Sequence, residues 1–254
     1  MAAIAITGAG SGIGAATRAR LQRAGKRVVG VDLRGAEIVA DLAKASGRAL
    51  AAKEILAASD GALDGLVLSA GIGPSPDASP LIVSVNYFGA VDLLDRLFDA
   101  LKREAPSAVV AIASNSATTV PDIPGDLVSA MLDGDEGNAR WIAESVHPAQ
   151  AYAASKLALA RAVRRRSPEW AEVGVRLNAV APGATRTPLL ETGLADPELG
   201  PLIRAVPLPV GGFGKPEHIA SVIEFLLSDD AAFVVGAIWF VDGGTDALVR
   251  PDGF

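Results

Sequence analysis

A doubly wound parallel α/β sheet is the fold class this sequence predicts, and three observations carry it. Short apolar, β-branched runs alternate with helical patterns along the 254 residues, as repeated βαβ units do. Each run stops at a polar residue or a glycine, the punctuation expected at a strand's carboxyl end. The first run leads through a glycine-rich turn into a helix and on to a second run ending in aspartate, the order that a dinucleotide site requires. No internal repeat, low-complexity tract or linker breaks the pattern, so a single domain over residues 1–254 is the economical organisation.

The first strand covers residues 2–6 and ends at Thr7-Gly8-Ala9-Gly10-Ser11-Gly12-Ile13-Gly14. A helical pattern follows over 15–24, with Gly25 as its C-cap. The second strand, 27–31, ends at Asp32, and a short third, 37–40, ends at Asp41-Leu42. Two further strands are 63–68, ending at Ser69-Ala70-Gly71, and 107–113, ending at Ser114. The last two are 174–180, ending at Ala181-Pro182-Gly183, and 236–241, ending at Asp242-Gly243-Gly244. Helices fill the spaces at 43–58, 81–103, 151–166 and 216–227.

Half of the residues are apolar, enough to bury a substantial core. The net charge of −6 argues against a nucleic-acid surface. The nearest basic cluster, Arg161, Arg164, Arg165 and Arg166, reads as the solvated end of the helix over 151–166. Having no cysteine excludes disulfides, thiolate metal sites and thiol catalysis. Two histidines, His147 and His218, leave too little for a metal cluster or a Ser-His-Asp system. The opening residues lack the features of a signal peptide, and no apolar run reaches membrane-spanning length. A soluble cytoplasmic protein with no metal, nucleic-acid or membrane partner is expected.

In open α/β sheets ligands bind beyond the carboxyl ends of the strands. Asp32, Asp41, Ser69-Ala70-Gly71, Ser114 and Pro182-Gly183 all fall there and would share one rim. The glycines let the backbone approach a pyrophosphate, whose charge the N–H groups at a helix start favour. Their spacing is Gly8-x-x-x-Gly12-x-Gly14, which departs from the usual G-x-G-x-x-G. Asp32 would accept hydrogen bonds from the adenosine ribose and repel a 2′-phosphate, so NAD is predicted over NADP. Arg34, two residues on, is the group that could reverse this by meeting a phosphate. Tyr152 is one of two tyrosines, and Lys156 follows it at helical spacing, so phenol and ammonium would stand side by side. A nearby cation favours phenolate and lowers a tyrosine pKa from about 10, giving an acid/base group for neutral pH.

Over its whole length the chain resembles the short-chain dehydrogenases/reductases, a Rossmann-fold family. Thr7, Gly8, Ser11, Gly12, Ile13 and Gly14 resemble that family's cofactor glycine motif. Asp32, with Leu33 beside it, resembles the NAD-selecting acid, and Asp41-Leu42 the pair that touches the adenine. Ser69-Ala70-Gly71 stands where the family has Asn-Ala-Gly, and losing that amide implies a modest structural difference at the central strand. Asn86 resembles the catalytic asparagine, Ser114 the catalytic serine, and Tyr152 with Lys156 the Tyr-x-x-x-Lys pair. Pro182, Gly183, Thr185 and Thr187 are similar to the loop holding the nicotinamide carboxamide, with Thr187 as the contact. The resemblance implies that Tyr152 is the general acid/base on the substrate oxygen and that Ser114 hydrogen-bonds the same oxygen. Lys156 would lower the tyrosine pKa and hold the nicotinamide ribose, and Asn86 would anchor a water leading to Lys156. It also implies a small carbonyl or alcohol substrate and a homodimer or homotetramer.

Ser114 and Tyr152 are 38 positions apart, farther than is typical of the family. The extra stretch, about 118–148, reads as a helical hairpin. Leu127, Val128, Met131 and Leu132 lie on one face, then Trp141, Ile142 and Val146 after Asp133-Gly134-Asp135. It is expected to cover the rim and shape either the substrate pocket or a subunit interface. Together with Val83-Ser84-Val85-Asn86-Tyr87-Phe88 and the C-terminal pattern, this insertion resembles the bacterial 3α-hydroxysteroid dehydrogenase/carbonyl reductase branch. An apolar, steroid-like substrate follows, covered by the leucine-rich segment 188–214. The competing readings are a short-chain dehydrogenase for a non-steroid alcohol, acyl or sugar substrate, and a catalytically silent nucleotide-binding protein.

Overall fold

Strands of a parallel sheet covered on both faces need apolar residues at every position, not at alternate ones. The central strands meet that condition, and the computed structural model describes them within residues 3–253. In chain order, β1 (Ala3–Thr7) leads through the glycine turn to α1 (Gly12–Arg23), β2 (Val28–Asp32), β3 (Ile38–Val39), α2 (Ala45–Ala58) and β4 (Leu63–Leu68). Then come α3 (Ser79–Val83), a π-turn (Ser84–Phe88), α4 (Gly89–Arg103), β5 (Ser107–Ile112) and α5 (Ser116–Thr119). The insertion contributes α6 (Gly125–Leu132) and α7 (Glu136–Ala143) before α8 (Pro148–Glu172) and β6 (Val175–Pro182). The chain closes with α9 (Pro188–Ala195), α10 (Leu199–Ala205), α11 (Pro216–Leu227), β7 (Ile238–Val241) and α12 (Thr245–Val249).

One parallel sheet holds all seven strands in the order β3-β2-β1-β4-β5-β6-β7. Consecutive strand residues feed opposite cores. Ala5, Leu66, Val109 and Leu177 face α2, α4 and α8, whereas Ile6, Val67, Val110 and Val180 face α1 and α11. The winding reverses between β1 and β4, which is where such sheets open a crevice for ligands. All seven expected strands form. Ala2, expected at the start of the first, lies outside the described residues, as does Phe254.

The helices depart from the sequence reading in informative places. The single helix expected over 81–103 is three segments, because the backbone widens into a π-turn around Asn86. Such turns accommodate one extra residue and recur at functional sites. The helix expected over 151–166 runs from Pro148 to Glu172 and passes through Pro168. Proline lacks the N–H that would bond the Arg164 carbonyl, and the Ser167 hydroxyl donates to that carbonyl at 3.1 Å instead. The arginine cluster therefore lies mid-helix, with Arg166 reaching Asp95, and does not form the helix end. The segment 188–214, for which the spacing predicts no helix, carries α9 and α10.

The insertion is a helical hairpin, as expected. Asp135 caps its second helix by accepting from the Asn138 N–H at 3.0 Å. Leu127, Val128 and Met131 are buried. Trp141, expected on the apolar face, is 70 % exposed. The buried face of α7 is made by Ala139 and Ala143, four residues apart, which allow close approach to α3. The hairpin rests on α8, α3 and the π-turn, all in the helical layer on one side of the sheet.

Candidate active site

The glycine turn is built tightly against the switch point. Gly8 has φ +69°, and a Cβ there would meet Ala70 N at 2.8 Å. A Cβ on Gly14 would stand 2.1 Å from the Gly8 carbonyl, so the start of α1 backs directly onto the turn. The Thr7 hydroxyl accepts from the Ser69 and Ala70 N–H groups, each at 3.0 Å, stapling the end of β1 to the end of β4. This staple holds the strand end at which serine replaces the family asparagine. Ser11 places no side chain on the first N–H groups of α1, leaving Gly12 and Ile13 free to face an anion. At the end of β2, Asp32 Oδ2 accepts from Gly10 N at 2.9 Å and Oδ1 from Leu33 N at 2.6 Å. Arg18 is engaged by Glu37 and by the Gly35 carbonyl. Arg34 has no carboxylate partner among the described residues. Asp41 turns its carboxylate to Ala43 N at 3.1 Å, and Leu42 is buried. These features fit a dinucleotide: a cradle that side chains would fill, an uncapped helix start and an acid at the next strand end.

Ser114, Tyr152, Lys156 and Asn86 converge beyond β4 and β5. Lys156 Nζ donates to the Ile112 carbonyl at 2.8 Å and lies 5.8 Å from the Tyr152 ring centroid. Asn86 is fully buried; its Oδ1 accepts from Ile72 N at 2.8 Å and its Nδ2 donates to Ile72 O at 3.0 Å. A Cβ on Gly71 would stand 3.2 Å from Asn86 Oδ1 and 3.5 Å from Lys156 Nζ, so one glycine packs against both. The Ser114 hydroxyl accepts from Ser116 N at 3.1 Å. The second tyrosine, Tyr87, is buried edge-on to Phe88 and takes no part.

The electrostatics differ from the expectation that Lys156 depresses Tyr152. Burial pushes the Tyr152 phenol up, and the opposing pull comes from contact with the Ser114 hydroxyl. Burial lowers Lys156 to about 8. Lys156 is buried and Tyr152 partly so, and desolvation is the largest influence on each.

The loop after β6 closes the rim. Thr187 caps α9 by accepting from Leu190 N at 3.2 Å, and its methyl lies near the space that a Cβ on Gly12 would occupy. Thr185 donates to the Gly183 carbonyl at 3.0 Å. A Cβ on Gly183 would fall 2.6 Å from that of Asp242.

Models of two sequence families match the chain: short chain dehydrogenase over residues 2–123, and enoyl-(acyl carrier protein) reductase over residues 138–246. The chain is 46% identical to the 3-alpha-hydroxysteroid dehydrogenase/carbonyl reductase of Comamonas testosteroni, over 100% of both chains. The chain is a short-chain dehydrogenase. Its fold matches the crystal structure of the 3-alpha-hydroxysteroid dehydrogenase from Pseudomonas sp. B-0831 complexed with NADH, with a TM-score of 0.96 at 46% identity over 99% of this chain and 100% of that one. The cis-4-hydroxycyclohexanecarboxylate dehydrogenase of Sinomonas cyclohexanicum is 35% identical over 96% of each chain.

Three features of this dehydrogenase's rim were not read from the sequence. Ser155, inside the Tyr-x-x-x-Lys stretch, is fully buried and donates to the Tyr152 carbonyl at 2.7 Å while facing Asn86 Nδ2 at 3.4 Å. Its position between Tyr152 and Lys156 was the available signal. Ile72 holds Asn86 through its backbone, which no side-chain pattern can announce. Asn115, next to Ser114, donates to Asp242 at 3.3 Å, and Asp246 accepts from Thr118 and from Arg250. The C-terminal turn is thus tied to the loop carrying Ser114. A cleft of about 400 Å³ lies behind Gly183 and Thr185, walled by Phe213, His218 and Asp242. Ser114, Tyr152 and Lys156 do not line it.

The buried lysine gives the dehydrogenase a pH signature. Its pKa falls from 10.5 to about 8 on folding, so between those values the folded chain binds fewer protons than the unfolded one. Stability contributed by this group therefore rises with pH across that window. Lys156→Met is expected to flatten that rise relative to wild type in urea titrations spanning it. An unchanged slope would mean that Lys156 titrates normally.

Proposed function

We propose that the protein is an NAD(H)-dependent oxidoreductase interconverting a secondary alcohol and a ketone, of the 3α-hydroxysteroid dehydrogenase/carbonyl reductase kind, on an apolar substrate. The observation that carries this reading is the convergence of Tyr152, Ser114, Lys156 and Asn86 beyond β4 and β5, in a chain similar end to end to relatives of that name. Bound NAD supplies the hydride chemistry, at the nicotinamide ring. Tyr152 takes the hydroxyl proton of the alcohol during oxidation and returns it to the carbonyl oxygen during reduction. Ser114 hydrogen-bonds the same oxygen. Lys156, lowered to about 8 and anchored on the Ile112 carbonyl, holds or releases a proton near neutral pH beside Asn86. Asp32 selects NAD by accepting from the ribose, with the glycine turn and α1 on the pyrophosphate and the 182–187 loop on the nicotinamide. Exposed Leu189, Leu202 and Val210 support an apolar substrate under the 188–214 segment. A homodimer or homotetramer is supported by the open edge at β7, where Phe240 and Phe233 are exposed.

An NADH-oxidation screen over 3-ketosteroids, quinones, simple ketones, sugars and acyl thioesters tests the reading. Reduction of 3-ketosteroids and apolar ketones is expected. Turnover confined to sugars or acyl thioesters would replace the substrate class, and no turnover of any carbonyl would replace the enzyme reading itself.

A further inference from the structure

The segment that presents Asn86 is bonded directly at its amino end by one helix of the insertion, and the same helix pairs with the arginine that braces the neighbourhood of its carboxyl end. A π-turn is less favourable than the α-helices on either side of it and persists where its surroundings hold it. The bond that closes this one runs from Gly89 N to the Ser84 carbonyl. At its amino end Ser84 is fully buried, and its hydroxyl accepts from Arg140 Nη1 at 2.7 Å. At its carboxyl end Gly89 lies against Leu42, where a Cβ would stand 3.3 Å from the Leu42 carbonyl. That carbonyl accepts from Arg48 Nη1 at 3.4 Å, and Arg48 Nη2 meets Glu136 Oε2 at 2.6 Å. Arg48 is 4% exposed and also bonds Asp92, on the first turn of α4, at 2.9 Å. A buried guanidinium with two carboxylates has little freedom to move. Glu136 and Arg140 are four residues apart on α7 and so share one of its faces. Between the two ends Asn86 is turned onto Ile72 by a pair of hydrogen bonds.

We infer that Arg140 and Glu136 are positioning residues for the reaction, acting through the π-turn to hold Asn86 beside Lys156. The insertion thereby serves the chemistry from behind the helical layer. The inference rests on the role given to Asn86 in the functional reading above.

The test uses the full chain with Arg140→Met, which keeps the aliphatic stem and removes the donor, and Arg140→Lys as the conservative variant. Arg140→Met is expected to lower kcat on a 3-ketosteroid by about 10-fold, as a small misplacement of a supporting group does, with KM for NADH unchanged. In an Asn86→Ala background the same substitution should cost nothing further, because both act on one interaction. Arg140→Lys should recover most of the loss. Independently of any substrate, the Ile72 amide should exchange faster with solvent in Arg140→Met, while the Val110 amide in β5 stays as in wild type. Additive losses in the double variant, or an Ile72 amide that exchanges as before, would overturn the inference. An equal rise at Ile72 and Val110 would be general loosening and would overturn it too. A wild-type protein that reduces no ketosteroid counts against the functional reading alone, and the Ile72 exchange then decides the grip.

Discussion

Tyr152→Phe is expected to lower turnover by about 10²- to 10⁴-fold, the range that a positioned general acid/base contributes. NADH affinity should be nearly unchanged. The substitution removes one oxygen and leaves the ring, so the packing of α8 against the loop after β5 survives. Lys156 keeps its bond to the Ile112 carbonyl, because that contact does not pass through the phenol. What is lost is the group that, in the proposed reaction, exchanges a proton with the substrate oxygen. Burial raises this phenol, and the counteracting pull comes from Ser114. The free protein therefore holds Tyr152 protonated, ready to donate in the reductive direction. Steady-state turnover read alongside NADH fluorescence titration separates the two effects. Turnover within about tenfold of wild type would remove Tyr152 from proton transfer, since even weak general catalysis exceeds that.

Asp32→Ala is expected to weaken NADH binding by about 10- to 100-fold, the equivalent of about one hydrogen bond to a charged acceptor. It should also relax discrimination against NADPH, because the carboxylate that repels a 2′-phosphate is gone. The carboxylate has a second duty, since its oxygens hold Gly10 N and Leu33 N. Asp32→Asn separates the duties: an amide oxygen can still accept from Gly10, whereas the negative charge is absent. If charge sets the selectivity, Asn and Ala should gain NADPH alike; if bracing sets affinity, Asn should bind NADH better than Ala. With Arg18 committed to Glu37, Arg34 is the cation left to meet a phosphate in these variants. A wild-type preference for NADPH, read from kcat/KM with each cofactor, would mean that Arg34 outweighs Asp32.

The sheet was legible because its determinants are local. Continuous apolar runs, each stopped by a glycine or an acid, require no knowledge of distant partners, and all seven form strands. Pro216–Leu227 was legible end to end for the same reason, as a proline-initiated amphipathic segment. Helices broken or extended by tertiary contacts were not. The π-turn at Asn86 is bonded through Ser84 by a guanidinium from residue 140 and packs near residue 42, neither of which marks the local sequence. The passage of α8 through Pro168 depends on one serine hydroxyl covering the carbonyl that proline leaves unpaired. Trp141 lies outside the face its spacing suggests because the α7 interface is built from the small residues Ala139 and Ala143, which allow close approach.

By itself, then, the sequence determined the fold class and laid out the glycine turn with its acid, since both are written in local pattern and spacing, and its resemblance to the family singled out Asn86, Ser114, Tyr152 and Lys156. Tertiary structure alone decided how that set is held and charged. Burial, which no spacing reveals, lowers Lys156 to about 8 and raises Tyr152. The insertion, legible as a hairpin, received its place from packing on α8, α3 and the π-turn, because a surface that small residues bury is visible only once its partner is present.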